Sequence, residues 1–481
     1  MMHWTHVWCL PIIHALHQTT HNETRRPPSR SSNVQAASAA TLGEAGAAGE
    51  GRQTENARRV PPGIVGATVA GNAIEFYDFT TYAFFAVYIG KTFFPSNSPL
   101  TSLLLSVAVF GVGFVTRPLG GVLIGAFADR AGRKPAMLLT IGLITAGTMG
   151  LALTPSYESI GIAAPIIVVL CRLVQGLALG GEVGPATSYL IEIAPPGKRG
   201  LYGSWQLASQ GVASLMAGIV GVALTLNLSP EDMQAWGWRV PFVLGLLLIP
   251  IAIFLRRHMP ETLDHGHGAQ SAPGAGSEKL PAPRIRDHAR IIGLAVMMVM
   301  GTTVSTYVAI YMTTYAITTL KLSPVIGMTS TILFGLATWA GALLGGWLSD
   351  RYGRKPVLLW PRVALLVLTY PAFLLLIEYT SFFTLACVTS LLALLTAMTG
   401  SASLVTIPEH FPSHVRALGL SIAYAVGVTV FGGTTQFVIT WLIAATGNPA
   451  APALYVVVTS LITLVAILKM RETGCGRVLQ R

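Results

Sequence analysis

Long apolar runs separated by short polar breaks dominate the pattern of this chain. Runs of about 20 mostly apolar residues recur through most of the sequence, and each is long enough to cross a bilayer as a helix. The runs lack the period-2 alternation of barrel strands, and backbone groups in hydrocarbon must be bonded internally, which leaves helices. The predicted spans are residues 63–89, 100–127, 136–154, 163–191, 200–226, 237–255, 290–317, 324–348, 357–377, 382–407, 415–445 and 452–470.

Composition supports the same fold class. Of the 481 residues, 52% are hydrophobic and only 11% are charged, whereas an ordinary soluble domain carries about 25% charged residues. The expected protein is therefore an all-α integral membrane protein with twelve transmembrane helices in two pseudo-symmetric six-helix bundles.

The net charge of +11 is explained by topology rather than by a nucleic-acid partner. With loops at alternating ends of twelve spans, all but six of the 31 basic residues fall in the tails and in the loops on one side. The positive-inside rule makes that side cytoplasmic, so we expect both termini inside and a location in the plasma (bacterial inner) membrane. The exceptions are Lys91, Arg117, Arg172, Arg239, Lys321 and Arg362.

Polar segments divide the chain into domains. The composition of residues 1–60 predicts a disordered tail. The tail contains several histidines, beginning at "HWTH", which either form a metal site or have no such role. Residues 259–289, rich in Gly and Pro, predict a cytoplasmic linker between six-helix bundles at 61–258 and 290–472, with a second tail at 473–481. The four cysteines are scattered without a CxxC pair, so they suggest neither a disulfide framework nor a zinc site.

One charged turn motif occurs twice in the sequence. "GAFADRAGRKPAML" begins at Gly125 and "GWLSDRYGRKPVLL" at Gly346, and their first eleven residues match at seven positions with an offset of 221. "EIAPPGKR" after span 4 and "EHFPSHVR" after span 10 share Glu, Pro and Arg at equal spacing. The two halves of the chain are therefore parallel repeats.

An aspartate in the turn conflicts with local helix electrostatics. Gly132 suits the tight reversal after span 2, and Pro135 suits the first turn of span 3. Asp129, however, lies at a helix C-terminus, where a negative charge opposes the macrodipole. Such an acid needs a partner elsewhere, and the N-terminus of another helix is a good one.

The doubled turn between six-span halves resembles the major facilitator superfamily. Further stretches are similar to its metabolite:proton symporter family: "GNAIEFYDF", "FVTRPLGG", "RLVQGLALGGEVGPA", "GSWQ" and "WGWRVPF". Within that family, "YIGKTFFP", "VFGVGF" and "YAVGVTVFGGTTQ" look most like the citrate and tricarballylate carriers. Related members take up α-ketoglutarate, shikimate or zwitterionic osmolytes.

The resemblance implies that the turns are gates. Asp129 would meet the start of span 11 near Arg416, and Asp350 the start of span 5 near Arg199, so that each latch joins the two halves and breaks as they rock. The alternative is a plain positive-inside anchor. The gating candidates are Asp129, Arg130, Gly132, Arg133, Asp350, Arg351, Gly353, Arg354, Arg199 and Arg416.

Five ionisable residues lie well inside the first half: Glu75, Asp78, Arg117, Arg172 and Glu182. A charge at mid-bilayer costs about 2.5–3.5 kcal/mol even on the lenient insertion scale. Glu75 and Asp78 share a helical face, so one of these crowded acids is expected to hold a proton near working pH. With Glu182, they are the proton-coupling candidates. Arg117 and Arg172 would pair with them when the site is empty and with substrate carboxylates when it is full. The alternatives are permanent ion pairs and, for Glu182, a brace for a Gly-rich bend.

The second half carries hydroxyl and amide side chains where the first carries charges. Tyr307, Tyr311 and Gln436 are therefore candidates for a hydrogen-bonding wall of the substrate site, with ordinary packing as the alternative. Arg362 and Glu409 are expected near span ends, with their charged heads reaching the interface. Charge handling is thus expected in the first half alone.

These residues bear on three function classes: a secondary transporter, a non-transporting receptor and a membrane enzyme. The preferred one is a proton-coupled symporter that imports a small organic acid, such as the di- or tricarboxylate citrate, through a midplane site. The alternative cargoes are a zwitterionic osmolyte such as proline or betaine and a monocarboxylate such as shikimate. A non-transporting receptor is an alternative of a different class. A membrane enzyme would need a nucleophile or a metal cluster, and none can be identified among the interior residues of the sequence. We expect a monomer in the lipid bilayer, with no catalytic residue, cofactor or metal.

Overall fold

The structure is a computed structural model. It describes residues 62–131, 133–180, 190–191, 193–195, 197–257, 288–411 and 416–473. The expected N-terminal tail and most of the expected linker lie outside the described residues, as do Gly132 and Glu182.

Twelve helical spans run through the described ranges. Spans 1–6 are Pro62–Phe84 continued by Ala86–Phe93, Pro99–Val115 continued by Arg117–Ala131, Arg133–Leu153, Ala163–Gly180, Arg199–Asn227 and Val240–Arg257. Spans 7–12 are Ala289–Thr318, Pro324–Tyr352, Arg354–Glu378, Phe382–Glu409, Arg416–Val426 continued through Gly433–Thr446, and Ala451–Lys469. The bounds follow the apolar runs and confirm the predicted fold class.

The outer surface of the bundle is apolar. Ten helices of the described residues are long and apolar enough to cross a membrane, and span 6 contributes a shorter apolar helix. Large side chains such as Leu153 and Phe383 are 72% and 74% exposed on this surface. Exposed hydrocarbon on this scale is unfavourable in water and is typical of membrane-spanning helices.

Local breaks in the helices have identifiable causes. Span 2 is interrupted at Thr116, where the following Pro118 has no N–H to offer the preceding turn. Span 11 widens into a π-helix over Gly427–Gly432, within its "GVTVFGG" sequence. Such insertions are often found at functional sites.

Glycines allow spans from opposite halves to touch backbone to backbone. A Cβ built on Gly211 of span 5 would lie 2.7 Å from the Gly335 carbonyl oxygen of span 8. A Cβ on Gly111 of span 2 would lie 2.2 Å from the Gly433 carbonyl oxygen of span 11. The two pairs of spans therefore form the close seams between spans 1–6 and spans 7–12.

Candidate functional site

A buried hydrogen-bond relay joins spans 1, 3 and 4. Asp78 is 5% exposed, and its Oδ2 accepts hydrogen bonds from Thr148 Oγ1 and, at 2.7 Å, from Gln175 Nε2. The other end of the same amide, Gln175 Oε1, accepts from Arg172 Nη1 at 2.7 Å. Asp78 Oδ1 has no hydrogen-bond partner among the described residues. The carboxylate and the guanidinium are thus linked through an amide instead of forming the expected direct pair.

Sequence reasoning missed Gln175 and Thr148. Gln175 follows Arg172 by three residues in "RLVQG", so a shared helical face was the available signal. No comparable signal exists for Thr148, because span 3 is rich in hydroxyls and only packing fixes which of them faces span 1.

Aromatic rings hold the two arginines of the first half. The Arg172 guanidinium lies over the Tyr82 ring, 4.3 Å from its centroid. Arg117 lies over Phe114 and Phe79, at 4.0 and 4.5 Å. Ring faces attract cations, so these contacts partly replace the water that burial removes.

Arg117 reaches the second half of the chain. The Phe114 ring under its guanidinium packs edge-on against Tyr307 of span 7, with centroids 5.3 Å apart. A predicted cation and a predicted wall residue are thus linked through Phe114 across the seam between the halves.

Span 1 separates two cavities. Glu75 and Asp78 line one of about 320 Å³ between spans 1, 3 and 6, which we call the acid cavity. Phe76 and Thr80, on the other side of the same helix, line one of about 490 Å³ that is also lined by spans 5, 7, 8 and 10. This second space, the central cavity, lies between the two halves and has Tyr307 in its wall.

The other two predicted wall residues lie behind the surface of these cavities. Tyr311 is 2% exposed and its hydroxyl accepts a hydrogen bond from Thr440 at 2.9 Å. Gln436 is 1% exposed, and neither end of its amide has a hydrogen-bond partner among the described residues. The structure brings Tyr307 to the central cavity but not Tyr311 or Gln436.

The expectation that Arg362 reaches the membrane interface is wrong. Arg362 is 0% exposed in span 9, and its guanidinium points into spans 7–12. Its donor contacts are Gly301 O at 3.1 Å, Ser305 Oγ at 3.2 Å, Ser460 Oγ at 3.5 Å, Thr302 Oγ1 at 3.2 Å and Thr399 Oγ1 at 3.3 Å. These hydroxyls replace interfacial water, so the second half also carries an interior charge.

Asp350 binds the start of span 5. We call the end of the bundle that carries the two charged turns the motif end. There Asp350 accepts the backbone N–H of Gly200 at 2.7 Å and of Leu201 at 2.8 Å. Two amides at a helix N-terminus meeting a carboxylate form a charge-assisted cap between the halves.

Arg354 organises the rest of this network. It donates to Asp350 at 2.8 Å and to Ser349 at 2.7 Å, and it lies 3.4 Å from Glu409. The chain reverses just before it at Gly353, whose φ of +97° suits glycine. Glu409 therefore belongs to an ion pair and does not simply extend toward the interface.

The end of span 12 joins the same network. Glu472 accepts the backbone N–H groups of Arg354 at 2.7 Å and Lys355 at 2.8 Å, which caps span 9. Thr473 donates to Glu409 at 2.6 Å. Sequence reasoning missed both residues, because a lone acid after the last span resembles an ordinary tail.

The remaining gating candidates are not assembled in this way. Arg130 and Arg351 are exposed, and Arg351 lies over Trp347 with 5.4 Å between guanidinium and ring centroid. Arg199 is the first residue of span 5 and partly exposed. The side chains of Asp129, Arg133 and Arg416 lie outside the described part of the chain.

Two of the motif stretches meet between spans 1 and 5. Asn72 of "GNAIEFYDF" donates to the Gln206 carbonyl at 3.2 Å, and Gln206 of "GSWQ" donates back to Asn72 Oδ1 at 2.9 Å. These reciprocal hydrogen bonds between buried groups fix the register of the two helices. This contact anchors the span that carries Glu75 and Asp78.

Gly176 permits the approach of spans 2 and 4 that sets the two arginines side by side. A Cβ on Gly176 would lie 1.8 Å from the Gly113 carbonyl oxygen, so Gly176→Ala must push the helices apart. We expect a loss of about 3 kcal/mol and a melting temperature lower by about 5 °C. Thermal unfolding of purified protein measures the change. Gly142→Ala is the control, since its Cβ would meet nothing within 4 Å; equal melting temperatures of both variants would contradict the prediction.

Comparison with known proteins agrees with this architecture. Residues 68–427 match the model of the Major Facilitator Superfamily. The citrate-proton symporter of Salmonella typhi is 36% identical over 408 residues, which cover 84% of this chain and 92% of that protein. The proline/betaine transporter of Escherichia coli (strain K12) is 34% identical over 425 residues, covering 85% and 83%.

A solved structure shows the same fold. The crystal structure of D-xylose-proton symporter superposes with a TM-score of 0.70 at 18% identity, covering 86% of this chain and 98% of that one. The family match spans most of the chain and the helical architecture agrees with it. This chain belongs to the major facilitator superfamily.

Proposed function

We propose that the protein is a proton-coupled symporter that imports a small organic acid, a di- or tricarboxylate such as citrate, by alternating access. The observation that carries the proposal is the buried Asp78–Gln175–Arg172 relay, whose Asp78 lines the acid cavity on the opposite side of span 1 from the central cavity. It joins a group that can take up a proton to one that can bind a carboxylate. The citrate-proton symporter among the relatives supports the same cargo class.

Proton uptake and cargo binding are coupled through the relay. When Asp78 is ionised, it accepts from Gln175 and holds the amide with its oxygen toward Arg172. Protonation of Asp78 removes the negative charge that faces the guanidinium and weakens that hold. Arg172 then gains attraction for an anionic cargo, so that proton and anion bind best together.

Arg117 contributes the contact between the halves. It lies over Phe114, which packs against Tyr307 in the wall of the central cavity, and a planar guanidinium suits a carboxylate. A cargo carboxylate in the central cavity would draw Arg117 toward that cavity. Glu75 serves as a second acid in the acid cavity.

The motif end is the cytoplasmic side in this proposal, because the basic turns face the cytoplasm by the positive-inside rule. The contact of Asp350 with span 5 then holds the cytoplasmic side closed. Release of cargo requires this contact to break while the halves rock around the central cavity.

A zwitterionic osmolyte is the second candidate cargo. The proline/betaine transporter of Escherichia coli is nearly as similar to this chain as the citrate carrier. In that case Glu75 and Asp78 in the acid cavity would attract the ammonium group across span 1, and Arg117 would bind the carboxylate.

A substrate panel with pH recording tests the proposal. Proteoliposomes under an inward proton gradient should accumulate labelled citrate or a related acid, and each uptake should raise the external pH. Accumulation of proline or betaine without any acid would contradict the assigned cargo. Uptake of citrate without proton movement would contradict the coupling.

A further inference from the structure

The Arg362 guanidinium is a buried cation whose described partners are all neutral. It is 0% exposed and donates to hydroxyls and one carbonyl, and among the described residues no carboxylate pairs with it. Its Nε has no hydrogen-bond partner among them either. An arginine stays charged, and an interior charge in a membrane protein marks a functional site. A neutral amide would brace the same helices with less loss of hydration.

This cation lies behind the wall of the central cavity. Thr306 of span 7 and Thr396 of span 10 line that cavity. Thr302 and Thr399, which accept from Arg362 Nη2, lie one turn along the same two helices toward the motif end. The hydroxyl partners of Arg362 therefore lie about one helical turn from the threonines that line the cavity.

The repeat relates Arg362 to a position in the wall of the acid cavity. The residue that precedes Arg362 by the repeat offset of 221 is Ile141 of span 3. Ile141 lines the acid cavity together with Glu75 and Asp78. The first half thus carries acids between spans 1, 3 and 6, and the second half carries a cation beside spans 7, 10 and 12.

We propose that Arg362 is a specificity-determining residue whose fixed positive charge, acting through the cavity wall, favours cargo with more negative charge. The residue does not touch the cargo. Over a distance of roughly 10 Å and at an effective dielectric constant of about 20, its attraction raises the affinity for the cargo. The increase is on the order of tenfold for each negative charge that the cargo carries. This inference rests on the proposed transport of an organic acid.

Arg362→Gln and Arg362→Lys distinguish the effect of the positive charge from the effect of the hydrogen bonds that hold the helices together. We compare the KM values of a tricarboxylate, a dicarboxylate and a monocarboxylate in proteoliposomes. Arg362→Gln should raise KM on the order of tenfold for each cargo charge, whereas Arg362→Lys should keep the wild-type order of preference. Equal shifts for all three acids, or equal behaviour of the two variants, would overturn the proposal. Arg290→Gln removes an exposed charge from the same half and should leave the KM ratios unchanged.

A second pair of variants covers the case in which Arg362→Gln does not fold. Ser460 Oγ lies 3.5 Å from Arg362 Nη1, so Ser460→Asp places a neutralising charge there while Arg362 stays. Ser460→Asn has the same shape without the charge. Ser460→Asp alone should lose the preference for the more highly charged acid; the same preference in both variants would overturn the proposal.

The wild-type measurement distinguishes this failure from failure of the proposed function. If the wild-type protein accumulates none of the acids, the proposed transport of an organic acid is contradicted before any variant is compared. If the wild-type protein accumulates the acids but the KM ratios are the same in Arg362→Gln and Ser460→Asp as in the wild type, only the proposed role of Arg362 is contradicted.

Discussion

Asp78→Asn should abolish proton-driven accumulation while cargo exchange continues. The asparagine can still accept hydrogen bonds from Thr148 and Gln175, so the packing of spans 1, 3 and 4 is kept. It cannot take up a proton, so the free energy of the gradient no longer reaches the cargo. We expect the ratio of internal to external cargo to fall to about one, because no coupling remains between the two binding events.

Two assays on the same proteoliposomes measure this effect. Uptake under an inward proton gradient reports coupling, and exchange of internal for external labelled cargo at equal pH reports binding and rocking. Glu158→Gln, in the short helix Tyr157–Ile160 before span 4, removes an exposed carboxyl group and should change neither. If Asp78→Asn accumulates cargo to the same level as the wild-type protein, Asp78 has no role in the coupling mechanism.

Asp350→Asn should loosen the motif end of the transporter. Asp350 caps two amides at the start of span 5 and pairs with Arg354, and an asparagine has one acceptor oxygen and no charge. Hydrogen bonds to a charged group are worth about 1.5–3 kcal/mol each. A loss of about 3 kcal/mol changes the closed population relative to the open one roughly 100-fold.

Hydrogen–deuterium exchange at the Gly200 and Leu201 amides reads this closure directly. We expect exchange of these amides to accelerate by up to about 100-fold in Asp350→Asn, with a matching fall in uptake. Arg351→Gln changes the neighbouring exposed charge and is the matched control. Unchanged exchange in Asp350→Asn would mean that Asp350 is an anchor and not a latch.

The sequence supports prediction of the spans and of the need for a partner at Asp350. Apolar run length and chain breakers determine where a helix can cross hydrocarbon, so the twelve spans follow with errors of a few residues at their ends. The conflict between an acid and a helix C-terminus is also local, which makes it visible before any fold is known. The partner of Asp350 required the family resemblance.

The contacts of individual interior residues depend on how each helix is rotated, and the apolar pattern of a membrane span does not reveal this. Arg362 shows the difficulty, because about two turns from a helix end is close enough for an arginine to reach water. It points inward because spans 7, 10 and 12 offer hydroxyls there. Gln175 was missed because its role depends on the distance between Arg172 and Asp78, which lie on different spans.

The contacts of Glu472 and Thr473 set a practical limit on engineering the C-terminus. These two residues supply the cap of span 9 and a hydrogen bond to Glu409. An affinity tag that replaces the chain from Glu472 onward would therefore disturb the ion pairs beside Asp350, whereas a tag fused after Thr473 would spare them. Purification yields and transport assays that use tagged protein should be compared with this junction in mind.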